Sequence, residues 1–396
     1  MQLRIAREQT SSERLAVGVN GCRFGNVLVT REDDRRGAGP DGTVATAQGE
    51  FYVVVQKGRS FQRANPQAKV LVDSGRFLLI DWAEKQRWVE EPGCFAVVPY
   101  ADGAIDVGLR SGRRAQPRSD IVGLVNSFTA QDLKLQVQGL SAIHTRESTG
   151  QGFLQALDIC EPVLAAAGCE TSRQTFTMEG SQSFNLVGRR RGTAPDARLL
   201  IMSAHLDSVN HEGGAGARAP GADDNASGCV TVMQVATALA RLPELRHDVA
   251  FILFGGEEQG LFGSKHYVNN LSPEDRGRIA GVVNIDMAAS KNTSKPTVLL
   301  EGAALSQEVI DQLADAAATY TQLETQVSLK PFASDHVPFI CNGIPAVLTI
   351  EGADDAYPHE HTARDVPSGL DFELHRQITM MDVAWLVSNA LPSPGA

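Results

Sequence analysis

Four short apolar runs restrict the fold of this chain more than any other feature: Leu199–Ala204 (LLIMSA), Val249–Phe254 (VAFILF), Val282–Ile285 (VVNI) and Ala346–Ile350 (AVLTI). Each is too short for a buried helix and lacks the polar alternation of a half-exposed strand, so each reads as a strand buried on both faces. Between and after them lie segments with apolar residues at helical spacing, GCVTVMQVATALARL, GLFGSKHYVNNL and SQEVIDQLADAAATY. Strands alternating with helices predict an α/β architecture, a mostly parallel sheet sandwiched by helices. Upstream, SFTAQDLKLQVQGLSAI and GQGFLQALDICEPVLAAAGCE also carry the helical period, with Gly168 placed to end the second helix.

The first part of the chain obeys a different rule. RLAVGV, GNVLVT, EFYVVVQ, KVLVD, RFLLIDW, CFAVVPY and AIDVGL are short β-prone runs separated by turn residues, the pattern of an all-β module. The charged, glycine-bearing stretch from Arg31 to Thr43 suits a loop, and RSGRRAQPRSD from Arg110 reads as a linker. The expected organisation is a smaller all-β N-terminal domain over residues 1–115, a linker over 116–126 and the α/β domain over 127–396. A length of 396 residues agrees with two domains, because single cores stop growing near roughly 250–300 residues.

The balance of 47 acidic against 36 basic residues, without a long basic run, speaks against nucleic acid as a partner. No stretch reaches the roughly 18 apolar residues of a membrane span. The opening MQLRIAREQT lacks the apolar segment of an export signal. Six scattered cysteines are too sparse for a disulfide-built scaffold. Cys160 with Cys169, and Cys22 with Cys94, are the conceivable pairs, and Cys229 reads as a buried small residue.

The polar residues at the end of each apolar run carry the chemistry. In open α/β sheets ligands collect at the carboxyl ends of the strands, and here those ends are His205-Leu206-Asp207, Gly255-Gly256-Glu257-Glu258, Asp286 and Glu351. One imidazole among several carboxylates is costly to bury without a counter-charge, and a divalent metal is the simplest. The turn Pro220–Gly228 (PGADDNASG) opens into an apolar helix and can push a carboxylate into the same place, from Asp223 or Asp224. Adjacent acids point in different directions, so in the Glu257-Glu258 pair one can bind metal while the other faces the attacking water as general base. His361, in YPHEHTARD, supplies a second imidazole.

Taken in order, HLDS, GADDNASG, GGEEQGLFGS, NIDM, SDHVPF and HEHTARD resemble metallopeptidase family 28, the co-catalytic zinc family that includes secreted bacterial leucine aminopeptidases. The resemblance runs from about Ser127 to the C-terminus and implies the zinc exopeptidase fold with two zinc ions. It implies that His205 and Asp286 hold one zinc, Glu258 and His361 the other, and that Asp224 bridges them. Asp207 would orient His205, Glu257 would be the general base, and Ser334 would support the second histidine. One departure stands out: the aromatic hydroxyl that the family offers as an oxyanion donor is missing from Lys330-Pro331-Phe332-Ala333. Tyr357 is the alternative donor.

The resemblance implies removal of the N-terminal residue from peptides, with a preference for apolar side chains, and action outside the cell. Related readings are a carboxypeptidase or dipeptidase, a glutaminyl-cyclase-like acyltransferase, or a binding module that has lost catalysis; the full ligand set speaks against the last. Met287, Leu348 and Ile350 are candidates for an apolar substrate pocket or equally for the core. Glu351, Asp354 and Asp355 would meet a substrate amine or solvate a loop. Histidines 144, 211, 247, 266, 336, 359 and 375 read as solvated or structural, with His359 close enough to His361 to line the cleft.

Overall fold

The structure is a computed structural model that describes residues 1–7, 21–24, 27–31, 43–56, 58–82, 88, 95–101, 107–178 and 180–391. The four apolar runs become four neighbouring parallel strands, in the order Asp248–Phe254, Leu199–His205, Ile279–Ile285 and Ala346–Glu351. Their side chains alternate between two buried layers, as the pleat requires. Leu200, Met202 and Ala204 enter one core, whereas Leu199 and Ile201 enter the other. The first core lies beneath the helices Ala130–Ser141, Gln151–Ala166, Gly228–Leu239, Gln307–Tyr320 and Phe372–Ala390. The second lies beneath Phe262–Asn269 and His336–Cys341, through Tyr267, Val268 and Phe339.

Only the middle of the sheet is parallel throughout. Among the described residues it has nine strands, and the hairpin Glu170–Met178 with Ser181–Arg190 adds antiparallel strands at one edge. Toward the other edge, Thr297–Glu301 runs antiparallel to Ala346–Glu351 and parallel to Glu324–Ser328. The hairpin and Glu324–Ser328 carry polar residues along their length and lack the unbroken apolar signature of the centre. The edge strand Val107–Leu109, which composition groups with the N-terminal runs, pairs with Glu324–Ser328 instead. The expected linker contains the helix Ser119–Val125, whose Ile121, Leu124 and Val125 are buried. The polar stretch therefore leads along the α/β domain rather than toward it.

Among the described residues the N-terminal region has two four-stranded antiparallel sheets, while the run RLAVGV and the loop stretch 32–42 lie outside the described residues. Leu3, Ile5 and Val29 of one share a core with Phe51, Val53, Phe77 and Leu79 of the other. The second sheet has a further core, in which Phe61 and Trp82 pack with Val54, Leu78 and Ile80. Cys160, Cys169, Cys229 and Cys341 are free thiols, so Cys160 and Cys169 are not bridged, and Cys94 lies outside the described residues. Among the described residues no helix is long and apolar enough to cross a membrane.

Helix Phe372–Ala390 buries a histidine against helix Gly228–Leu239. His375 is fully enclosed, its Nε2 3.0 Å from both Thr231 Oγ1 and Ser227 O. Burial lowers its pKa to about 4, below the unfolded value of about 6.5. Between those values the unfolded chain binds a proton that the native state refuses, so stability falls as pH drops through this window. The expected loss reaches about 3 kcal/mol near the lower end. Urea unfolding of metal-free protein at pH 7 and pH 4.5 should show it, and His375→Gln should remove this component.

Candidate metal centre

The parallel strands bring the expected residues to one edge. His205 ends its strand, Asp286 directly follows Ile279–Ile285, and the Glu257-Glu258 pair follows Asp248–Phe254 through a glycine turn. That turn admits no larger residue: Gly256 has φ +70°, and a Cβ on Gly255 would stand 2.6 Å from Phe153 Cζ. Asp224 arrives from the segment before helix Gly228–Leu239, and His361, at φ +54°, from the loop beyond Ala346–Glu351.

Asp224 lies between the two imidazoles. Its Oδ1 is 3.1 Å from His205 Nε2 and its Oδ2 is 3.0 Å from His361 Nε2. Asp286 Oδ1 stands 3.2 Å from His205 Nε2, and Glu258 Oε2 stands 2.9 Å from His361 Nε2. Two groups therefore share one carboxylate. Donor atoms of His205, Asp224 and Glu258 lie within 4.8 Å of one another, as do those of His205, Glu257 and Asp286, and those of Asp224, Glu360 and His361.

The donor set fits a divalent cation on grounds of its own. Glu258 Oε1 and His361 Nε2 are buried and make no hydrogen bond, although carboxylate oxygens surround the ring nitrogen. Burial by itself would lower the pKa of His205, but Asp286 and Glu257 raise it well above the ordinary value. His361 is likewise opposed by burial and raised by Glu258 and Glu360. Without a metal these imidazoles would have to carry the positive charge that so many enclosed carboxylates require. Neutral imidazole and carboxylate are what zinc-like ions take as ligands.

Asp223 and Asp224 have different surroundings. Asp223 is engaged elsewhere: its Oδ1 accepts from Ala289 N at 2.9 Å, and its carboxyl shares a site with Glu351. Burial, with the nearby Asp365 carboxylate, raises the pKa of Asp223 well above the carboxylate range, although the hydrogen bond with Glu351 opposes it, and burial with the Asp223 charge does the same for Glu351.

Asp207 stands behind His205. Its carboxylate accepts from Glu257 N at 3.3 Å and Glu258 N at 3.1 Å, and its Oδ1 is 3.6 Å from His205 Nδ1. One carboxylate thus ties the imidazole to the Glu-Glu turn. Ser334 is placed differently from the expectation. It donates to Asp286 Oδ2 at 2.8 Å and accepts from Asn284 Nδ2 at 2.9 Å, so it steadies the carboxylate beside the first histidine rather than the second histidine. The hydroxyl of Tyr357 is likewise engaged, donating to Asp365 Oδ1 at 2.7 Å. A role as oxyanion donor does not agree with that geometry.

Asp365 was not singled out by the sequence although it closes the HEHTARD string. Its two oxygens accept from Asp223 N at 2.9 Å and Asp224 N at 3.0 Å, fixing the backbone that carries Asp224. Burial raises its pKa to about 6 against the opposing backbone donors. Arg146, also missed, is fully buried and donates to the carbonyls of Leu206, Pro220 and Gly221. No spacing in the sequence ties Arg146 to a turn 75 residues away.

Met287, Leu348 and Ile350 pack with Leu299 and Tyr357 in a small buried cluster, which is core. Glu351, Asp354 and Asp355 do not solvate a loop, since all three are buried. His359 is partly buried and packs edge-on against Tyr357, while His211 lies on His361 with ring centroids 4.4 Å apart.

Residues 185–386 match the sequence profile of peptidase family M28. The leupeptin-inactivating enzyme 1 of Streptomyces exfoliatus is 36% identical over 211 residues, which is 51% of this chain and 44% of that protein. The chain thus spans less than half of that relative's length. A probable leucine aminopeptidase of Trichophyton verrucosum is 25% identical over 64% of this chain and 72% of its own. The crystal structure of the Legionella pneumophila LapA aminopeptidase superimposes with a TM-score of 0.62 at 18% identity, over 88% of this chain and all of that one, a likeness of fold. All the strand-end histidines and carboxylates from His205 to His361 lie within the stretch that the profile covers, and the chain belongs to peptidase family M28.

Proposed function

We propose that this protein is a zinc-dependent aminopeptidase that removes the N-terminal residue from peptides, with a preference for apolar side chains. The observation that carries the reading is Asp224, which offers one oxygen to the neighbourhood of each histidine with Glu257 beside the first. His205 and Asp286 would hold one zinc ion, Glu258 and His361 the other, with Asp224 common to both. Bound zinc would polarise the scissile carbonyl and make water acidic enough to be deprotonated near neutral pH. Family membership and the names of the relatives support peptide hydrolysis at the amino end. The resemblance to secreted enzymes also favours action outside the cell.

The chain's own residues divide the remaining work. Glu257 is 5% exposed, with its backbone held by Asp207, so its carboxylate meets the reacting centre with few alternatives. It accepts a proton from the attacking water and returns it to the leaving amine. Asp207 keeps His205 oriented, Ser334 does the same for Asp286, and Asp365 with Tyr357 holds the Asp223-Asp224 backbone.

Glu257→Gln should lower kcat by about 10²–10⁴-fold while the zinc content, measured by elemental mass spectrometry, stays that of the wild type. Aminoacyl, N-blocked and C-terminal reporter peptides, assayed with and without chelator, should give turnover only with a free amino end and only with metal. Turnover of N-blocked or C-terminal reporters would overturn the aminopeptidase reading. Tyr357→Phe deprives Asp365 of a charge-assisted hydrogen bond and should cost the metal-free protein about 1.5–3 kcal/mol in denaturant unfolding.

A further inference from the structure

The N-terminal module meets the α/β domain through a buried guanidinium. Arg76, at the start of the strand Phe77–Asp81, is 4% exposed. Its Nε lies 3.2 Å from Glu301 Oε2, and its Nη1 lies 3.1 Å from Asp354 Oδ2. Its Nη2 donates to Phe332 O at 3.1 Å, while Phe332 N donates to Glu301 Oε1 at 2.9 Å. Both backbone groups of Phe332 are thus closed by one ion pair whose members come from the N-terminal module and the α/β domain.

That residue stands two places before Ser334, whose hydroxyl donates to Asp286 Oδ2. Between them Ala333 has φ +47°, a left-handed conformation that a residue with a Cβ keeps only when both sides are held. Close seating of the module is visible at a second point. Gly58 lies against the Glu360 carboxylate so tightly that a Cβ there would overlap it, and Glu360 Oε1 is 3.8 Å from His361 Nε2.

We propose that Arg76 is a positioning residue for the metal centre: by fixing Phe332 it holds the Ala333 turn, keeps Ser334 on Asp286, and makes the N-terminal module a permanent part of the peptidase unit. The inference rests on the zinc reading of the site. It excludes a module that serves only as a shed inhibitory segment, since its departure would leave Glu301 and Asp354 without their guanidinium beside an already acid-rich site. A lysine at position 76 provides one ammonium in place of a planar fork and cannot reproduce all three contacts.

The test uses the full-length chain loaded with zinc, in the wild type and in Arg76→Met, Arg76→Lys, Ser334→Ala and the Arg76→Met/Ser334→Ala double variant. Zinc retained per chain is measured against increasing chelator, alongside the melting temperature of the metal-free proteins. Arg76→Met and Ser334→Ala should each weaken retention of one zinc by about 10-fold or more, with Arg76→Lys in between. The double variant should be no worse than the worse single one, because both act through the same contact. A merely structural role would lower the melting temperature without this non-additivity in zinc retention. Wild-type retention in Arg76→Met, multiplying effects in the double variant, or higher turnover with unchanged retention would overturn the proposal. Should Arg76→Met fail to fold, Arg76→Lys with Ser334→Ala gives the same cycle. A wild-type chain that binds no zinc would overturn the functional reading as well, whereas normal wild-type binding with unaltered variants would overturn only the role of Arg76.

Discussion

Mutual repulsion among enclosed carboxylates is the constraint around which the α/β domain is organised. Asp207, Asp224 and Asp286, with the Glu258 side chain, are withdrawn from water at one sheet edge, next to two buried imidazoles. In a low-dielectric interior such a set is stable only with compensating positive charge and with donors on its remaining lone pairs. The raised pKa values of His205 and His361 express the demand for charge. Backbone N–H groups and hydroxyls meet much of the demand for donors.

Those donors explain why so much of the surrounding loop structure is fixed. Asp207 draws in the amides of Glu257 and Glu258, and Asp365 draws in those of Asp223 and Asp224. Arg146 binds three carbonyls along the same edge. Each contact pins backbone rather than side chain, so a carboxylate or imidazole that projects from it has little freedom left. A site held in this way needs less reorganisation when charge develops during reaction, which is the physical content of preorganisation. The acid pair of Asp223 and Glu351 is managed differently: burial raises both well above the carboxylate range, which favours a carboxyl over a carboxylate there.

The N-terminal sheets extend the same logic in their contact with the large sheet. Arg76 compensates Glu301, at the end of its strand, and Asp354, just beyond Ala346–Glu351. Burial, helped by the charges of Asp355 and Glu301, still raises Asp354 to about 6 with the guanidinium in place. The all-β sheets have their own core in Leu3, Phe51, Phe77 and Leu79, so folding and attachment draw on different residues. Apolar packing builds the module, and charge seats it.

Much of this was open to inference from the chain alone, for a definite reason. A strand buried on both faces must be apolar throughout, so the four central strands were visible as unbroken runs, and the polar residues that end them had to lie at one edge of one sheet. That located His205, the Glu257-Glu258 pair and Asp286; the motif order then supplied Asp224 and His361. The edge strands were less legible because exposure on one side permits polar residues, and Val107–Leu109 could not be assigned to a sheet without its partner. Orientation was decided only by the tertiary structure. Which carboxylate Ser334 steadies and that Tyr357 donates to Asp365 depend on backbone torsions and on residues distant along the chain, as does the separation of Asp223 from Asp224, which the residues alone left open and only the resemblance had assigned. Arg76 and Arg146 are the extreme cases, since a buried cation is recognisable only once the acids and carbonyls it serves have been folded around it.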